Sequence, residues 1–380
     1  MTSPANDMEV LFLCAFDDNP YQVELRDALA DHGVRVRTGD HTEYLPVLGR
    51  FRHGRPDVVH LHWLDNLLVS HNPVFSVLLG LRLLFELAVC RLLGVGVVWT
   101  VHNVLHHEKP QPRLELFFRR LVARLCDALV LHSACAQGRV VDAYDVPMDG
   151  GGPAVVVVPH GHFVDSYEND VSREAAREWL GVGDEPVFLF FGNVRPYKGV
   201  DDLVAAFKRL DGDARLFVVG RALDDDAADA RLRAACAEDD RISTVFQFVP
   251  EADIQRYMNA ADALVLPFDE VLTSGSAILG MSFGRAVVAP RIGCLPDVLA
   301  ATPELLYDPD EPDALYEALS EAREADLEDA GRRNFERVRE YDWDGIAART
   351  RAVYEDAAGV PPSERRAAPE SNASPEPRNE

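Results

Sequence analysis

Two Rossmann-like domains, each a doubly wound parallel sheet, facing each other across a cleft: this α/β architecture is the fold class the sequence predicts. Three observations carry it. The chain has 380 residues, more than one ordinary core holds, so length points to two domains of roughly 150 residues each with an appendage. Short β-rich runs alternate with helical patterns along almost the whole chain, which specifies parallel sheets covered by helices on both faces. The alternation also falls into two series of similar size, separated by a polar connector at 159–170 that contains Gly and His.

The first series places strands at 10–15, 34–37, 58–62, 97–101, 128–131 and 155–158. Helical patterns lie between them, such as 21–31, closed by Gly33, and 113–125. The second series places strands at 187–191, 216–219, 244–248, 263–266, 286–289 and 305–306. From Glu311 onward the pattern is helical, and 342–357 reads as a last amphipathic helix. The division that follows is an N-terminal domain at 1–165, a C-terminal domain at 166–335 and a C-terminal helix at 336–358 that returns to the first domain. Residues 359–380, rich in Pro, Ser, Glu and Arg, read as a disordered tail.

Composition narrows the function. With 38 basic and 63 acidic residues the formal charge is −25, and only Lys109, Lys198 and Lys208 are lysines. A surface this acidic repels nucleic-acid phosphates, which argues against DNA or RNA as partner. Its plainest meaning is solvent adaptation to strong salt, a halophilic trait. The six cysteines are scattered without a C-x-x-C pair and read as small buried hydrophobes in a reducing compartment. The first residues, MTSPANDMEV, lack a basic segment followed by an apolar run, and the longest apolar stretch, Val74 to Leu93, carries Arg82, Glu86 and Arg91. The expectation is a cytoplasmic protein.

In parallel sheets ligands sit beyond the carboxyl ends of the strands, and several unusual segments fall there. After the strand ending at Gly192 comes Asn193–Val194–Arg195–Pro196–Tyr197–Lys198–Gly199, then a helix. Arg195 offers a fork of donors, Lys198 a point charge and the helix start free N–H groups, together suited to a diphosphate. Thr273–Ser274–Gly275–Ser276 opens another helix with hydroxyls, amides and room for close approach; simple N-capping is its plainer meaning. Phe248 and Val249, at a third strand-to-helix junction, have the aromatic and backbone groups to hold a flat base, or form a buried strand end.

In the first half, histidines gather after strands: His60 and His62, then His102, His106 and His107, and His160 with His162 at the connector. Imidazoles there suit general-base or charge-stabilising work. Metal binding is the rival, but no H-E-x-x-H and no cysteine partners occur. No G-x-G-x-x-G follows the first strand, and neither a Walker segment nor a G-x-S-x-G elbow is present.

With these residues in view, the chain resembles the GT-B-fold glycosyltransferases of the family 4 group from about Glu9 to Tyr354. The likeness rests on FGNVRPYKGVDDLVAAF, FVPEADIQRYMNAADALVLPF, TSGSAILGMSFGRAVVAP and WTVHNVLHHE. The resemblance implies a nucleotide-sugar donor in the C-terminal half, its diphosphate on Arg195, Lys198, Ser274, Gly275 and Ser276 and its base on Phe248 and Val249. It implies an acceptor met by the N-terminal half, where His102 lines the reaction centre and Asn19, Tyr21, His62 and Asp65 form the acceptor side. His160 and Gly161 fall at the cleft and hinge. No cofactor beyond the co-substrate is implied, and no metal. One departure matters: the family's paired glutamates are missing, and Val271 and Leu279 occupy their positions. A subgroup with TSGS in that place is the nearer match.

The chemistry would be loss of a nucleoside diphosphate from an anomeric carbon as an acceptor hydroxyl attacks. An inverting version needs a base on the acceptor side, for which His102 and Glu108 are the candidates, with Asp65 behind them. The apolar, arginine-bearing runs from Val74 to Leu93 and from Arg113 to Leu125 fit peripheral contact with anionic lipid, hence a lipid-linked or surface-glycan acceptor; packing on the sheet is the alternative. Two other roles suit the same fold: a sugar-nucleotide epimerase, and a non-catalytic donor-binding partner of another transferase.

Overall fold

The computed structural model describes residues 8–13, 19–39, 42–106, 111–222, 226–361 and 363. Glu108, Lys109 and all but the first residues of the expected tail lie outside the described residues. Among the described residues, twelve strands build two sheets. The first joins β1 (Met8–Leu13), β2 (Val34–Gly39), β3 (Val58–Leu61), β4 (Gly96–Thr100), β5 (Ala128–Leu131) and β6 (Ala154–Val157) in the order β2-β1-β3-β4-β5-β6. The second joins β7 (Val187–Phe191), β8 (Arg215–Val219), β9 (Ile242–Val245), β10 (Ala263–Val265), β11 (Ala286–Pro290) and β12 (Leu306–Tyr307) in the order β12-β11-β10-β7-β8-β9. Every pairing is parallel, as in Val10 opposite Val36 and Val58, or Leu189 opposite Phe217 and Leu264. The predicted fold class is the one observed.

Among the described residues, fourteen α-helices connect and flank the strands. They are α1 (Pro20–Asp31), α2 (Asp65–Leu68), α3 (Pro73–Leu92), α4 (Pro112–Leu125), α5 (Ala136–Tyr144), α6 (Arg173–Leu180) and α7 (Val200–Lys208). Then follow α8 (Asp226–Ala237), α9 (Glu251–Ala260), α10 (Gly275–Ser282), α11 (Leu295–Val298), α12 (Ala314–Glu324), α13 (Leu327–Val338) and α14 (Trp343–Ala357). The local signals are ordinary ones. Proline opens α1, α3 and α4, where its missing N–H costs nothing, and Ser274 and Asp342 cap α10 and α14 by accepting from Ala277 and Gly345 N–H groups.

Both faces of the first sheet are covered, so its strands are apolar on alternate residues in both directions. Val10, Phe12, Val58 and Val98 face α1 and α14, in a core continuous with that of the second domain. Leu11, Leu13, Val59, Leu61 and Trp99 face the opposite way, under α3, α4 and α5. The last helix does return to the first domain. Its Tyr354 is buried against His60, 2.6 Å away, and Arg351 donates to the His32 carbonyl.

Two expectations change. The strand expected at 244–248 lies at Ile242–Val245, leaving Phe248 in the following loop, 72% exposed. Cys135 and Cys294 are not isolated hydrophobes but a disulfide, 159 residues apart in sequence. No local spacing announces a bond between two loops that only tertiary structure brings together. Cys90, Cys126 and Cys236 are free and buried, as expected.

Candidate active site in the interdomain cleft

Each sheet reverses its strand order once, and a crevice opens where it does. In the first sheet β1 is flanked by β2 and β3, so the segments after β1 and β3 part around the crevice. These carry Asn19, Tyr21, Trp63 and Asp65. In the second, β7 is flanked by β8 and β10, and the segments after β7 and β10 carry Gly192–Gly199 and Thr273–Ser276. The two crevices face each other and enclose a cavity of about 430 Å³. Among the sequence-predicted residues, Asn19, Tyr21, Asp65, His102, His160, Lys198, Ser274, Gly275 and Ser276 all line it.

On the second-domain side, Lys198 ends a short 3₁₀ turn and Gly199 follows with φ +65°. A Cβ at Gly199 would come within 1.9 Å of the Pro267 carbonyl oxygen, so only glycine lets this loop lie against the β10 loop. The close approach aims Lys198 inward: its Nζ sits 4.0 Å from the Phe268 ring centroid and 5.5 Å from that of Tyr197. No described carboxylate pairs with it. Removal from water lowers its pKa to about 8. An unpaired, partly desolvated cation beside the N-terminus of α10 has the chemistry to attract an anion.

Three predicted donor residues are not cavity-lining. Arg195 stands at the start of the 3₁₀ turn, half-buried and outside the lining, as are the exposed Phe248 and the half-buried Val249 beyond β9. Gly161 packs beneath α14, where a Cβ would lie 2.3 Å from the Trp343 ring, while Trp343 Nε1 donates to the His162 carbonyl at 2.7 Å. Val271 and Leu279 do line the cavity, so its wall is apolar where the resemblance leads one to look for glutamates.

The first-domain side is built on five imidazoles, with His60, His62 and His132 buried and His102 and His160 half-buried at the cavity wall. His132 Nδ1 donates to the Val158 carbonyl at 3.1 Å, which leaves its Nε2 as acceptor for His102 Nδ1 at 3.4 Å. His102 Nε2 then accepts from His62 Nδ1 at 3.3 Å. One carbonyl thus sets the tautomers of three rings in series. His60 bonds Tyr354 and Thr100, and His160 Nδ1 donates to the Gly161 carbonyl at 2.8 Å. Burial disfavours every imidazolium: the pKa falls to about 3 for His60 and His160 and about 4 for His132, and well below the usual value for His62 and His102. His62, expected on the acceptor side, is 1% exposed behind His102 and does not reach the cavity. Among the described residues no three His, Cys, Asp or Glu side chains converge as metal ligands.

Sequence reasoning missed several members. His132 falls outside the three histidine segments, Trp63 stacks on His102 at 4.1 Å and 9° between planes, and Arg119 is a fully buried cation on α4. Arg119 donates to Glu115 at 2.7 Å, to Asp65 at 2.5 Å and to the Asn103 carbonyl at 3.2 Å. The signal existed: arginine and glutamate at i, i+4 on the apolar face of α4, where a charge needs a partner. Beside the cavity, Ser133 donates to Asp297 at 2.7 Å next to the Cys135–Cys294 bond, so the domains are tied at this rim.

Comparison with known proteins agrees with this geometry. The profile of the family described as "Glycosyl transferases group 1" matches residues 185–324. GDP-mannose:glycolipid 4-beta-D-mannosyltransferase of Xanthomonas campestris pv. campestris is 29% identical over 278 residues, 72% of this chain and 70% of that one. A D-inositol 3-phosphate glycosyltransferase of Xylanimonas cellulosilytica is 30% identical over 65% of this chain and 61% of its own. Among solved structures, sucrose-phosphate synthase from Thermosynechococcus elongatus superposes with a TM-score of 0.71 at 19% identity, over 93% of this chain and all of that one. The Anabaena protein HepE in complex with UDP-glucose gives 0.70 at 16% identity, over 93% and 100%.

Proposed function

We propose that the chain is a GT-B-fold glycosyltransferase of the family 4-like group, and that it moves a sugar from a nucleoside-diphosphate donor held in this cleft to a lipid-linked or surface-glycan acceptor. The observation that carries the donor half is Lys198, an unpaired cation facing the cavity beside the capped start of α10. In this reading the leaving diphosphate is met by Lys198, by the Ser274–Ser276 amides and hydroxyls, and by Arg195 once a donor draws the 3₁₀ turn inward, without a metal ion. Phe248 and Val249 serve the base only if the β9–α9 loop folds over it. Apart from Phe248, which is exposed, these side chains are half-buried or deeper, so the charge on the leaving group is stabilised at short range.

The acceptor half rests on one surface. Val74, Phe75, Leu78, Leu81, Phe85 and Leu92 of α3 and Phe117 of α4 are all more than half exposed. Glu86 and Glu115, the acidic side chains of these two helices, are turned into the protein, while Arg113 and Arg124 are exposed. Arg124 pairs with the exposed Asp145, but in a chain of net charge −25 an apolar face whose own two helices expose no carboxylate suits an anionic bilayer. By length and apolarity α3 is large enough to cross a membrane, but Leu83, Glu86, Leu87 and Cys90 are packed against protein, which favours lying on the membrane surface. Two of the relatives named above act, by name, on a glycolipid or on an inositol phosphate.

Incubation with GDP-mannose or UDP-glucose and n-octyl β-D-glucoside, followed by mass spectrometry, tests this reading. A glycosylated acceptor and free nucleoside diphosphate are the expected products. A change of sugar configuration in the donor without transfer would make the protein an epimerase. Donor binding with no turnover would make it a partner of another transferase, the reading that the apolar Val271 and Leu279 favour.

A further inference from the structure

We infer that Asp65 takes the proton from the acceptor hydroxyl, and that the buried Arg119–Glu115 pair fixes where that carboxylate stands and leaves it the unbalanced negative charge. The inference rests on the transferase reading above. Its first support is elimination within the cleft. Asp65 is the one carboxylate lining the cavity among the described residues, since Val271 and Leu279 stand on the opposite wall. His102 also lines it, but both its ring nitrogens are bonded to other imidazoles and Trp63 covers its ring face. A ring so placed gives up its acceptor nitrogen only by breaking the series that begins at Val158.

The second support is charge. Arg119 and Glu115 have side chains 1% exposed, whereas that of Asp65 is 18% exposed. Two carboxylates share one guanidinium, so the trio carries one net negative charge. Glu115 spends Oε1 on Arg119 Nε and on the His106 N–H at 2.7 Å. Asp65 gives Oδ1 to Arg119, and no described residue donates to its Oδ2. Glu115 Oε2 is buried without a partner as well, so what sets Asp65 apart is its place: it is the carboxylate of the trio that meets the cavity, where the excess charge can act. The same guanidinium holds the Asn103 carbonyl, and Tyr144 donates to the Val104 carbonyl at 2.8 Å, so hydrogen bonds tie the segment after β4 to the start of α2 through Arg119.

The step balances without an added reagent. The acceptor O–H proton passes to Asp65 Oδ2, and the oxygen bonds to the anomeric carbon from the face opposite the diphosphate. The carbon–oxygen bond to the diphosphate breaks, and its electron pair leaves with the nucleoside diphosphate. Asp65 then returns the proton to solvent. The product is inverted at the anomeric carbon, the outcome an α-linked donor needs for a β-linked product such as the Xanthomonas relative's name specifies.

The test uses the full chain with GDP-mannose or UDP-glucose as donor and n-octyl β-D-glucoside as acceptor. Asp65→Asn is nearly isosteric and keeps an acceptor for Arg119. It is expected to lower kcat by about 10²- to 10⁴-fold, with nucleoside-diphosphate affinity and melting temperature unchanged, and Asp65→Glu to recover part of the loss. Arg119→Lys keeps the charge and loses the fork; its kcat is expected to fall while KM for donor holds, and the Asp65→Asn/Arg119→Lys double variant to be no slower than Asp65→Asn alone. Wild-type turnover by Asp65→Asn, loss on Glu108→Gln instead, or an anomeric configuration retained in the product by NMR would overturn the inference and leave the transferase standing. Wild-type protein that binds donor but neither transfers nor hydrolyses it would overturn the transferase reading itself, and this inference with it.

Discussion

His60 of β3 and Tyr354 of α14 share a 2.6 Å hydrogen bond in the interior, 294 residues apart in sequence. The last helix is thereby part of the core where the chain began. Because both groups are buried, removing the Tyr354 hydroxyl leaves His60 Nδ1 without water or partner, while its Nε2 keeps Thr100. Tyr354→Phe is expected to cost about 1–3 kcal/mol in denaturant unfolding, with the second domain still folded. A change under 0.5 kcal/mol would show the bond to be idle.

The five clustered imidazoles make stability depend on pH. Their folded pKa values are depressed, so each contributes stability that is present above the unfolded value near 6.5 and lost as pH falls toward the folded value. One pH unit below 6.5, each contributes a loss of about 1.4 kcal/mol. Urea unfolding at pH 7.5 and 5.5 should show a steep fall, and His132→Gln should flatten it by about one proton. Equal stability at the two pH values would contradict the neutral cluster.

The Cys135–Cys294 bond closes a long loop and ties the two domains at the rim of the cleft. Reduction, or Cys294→Ser, is expected to lower unfolding stability by roughly 2–5 kcal/mol and to raise the radius of gyration in small-angle scattering as the domains part. An unchanged scattering curve after complete reduction would show that the bond does not restrain opening.

The face of α3 is tested by flotation with vesicles of phosphatidylglycerol and phosphatidylcholine at matched salt. The protein is expected to float with the vesicles, and Leu78→Glu/Phe85→Glu to stay soluble with its nucleoside-diphosphate affinity intact. Wild-type protein that remains soluble would remove the membrane from the account.

Much of this was legible in sequence because the relevant signals are local. β-Branched runs mark the strands of both sheets, and the predicted strand centres fall within a few residues of those observed. Lys198 stood out for a simple reason: lysine is scarce and this one follows a strand. What sequence did not yield are relationships between distant segments. The disulfide joins residues 159 apart. Arg119 looks like one more cation on an amphipathic helix until α2 brings Asp65 to it. His132 is a lone histidine after β5 until three other strands deliver theirs. Phe248 is misplaced for the opposite reason, since an apolar run of strand-forming residues ends in a loop whose exposure periodicity does not record.

The central claim is that Lys198 holds a nucleoside diphosphate in the interdomain cleft. Isothermal titration of GDP and UDP into wild-type protein and Lys198→Ala at pH 7 tests it most directly. One diphosphate is expected to bind with one site per chain, at least about tenfold more weakly in the variant, with the melting temperature unchanged. For the wild type, affinity should fall as pH rises through about 8 and Lys198 loses its proton, a fall that Lys198→Arg should abolish. Equal affinity in wild type and Lys198→Ala, or no binding of either diphosphate, would contradict the account.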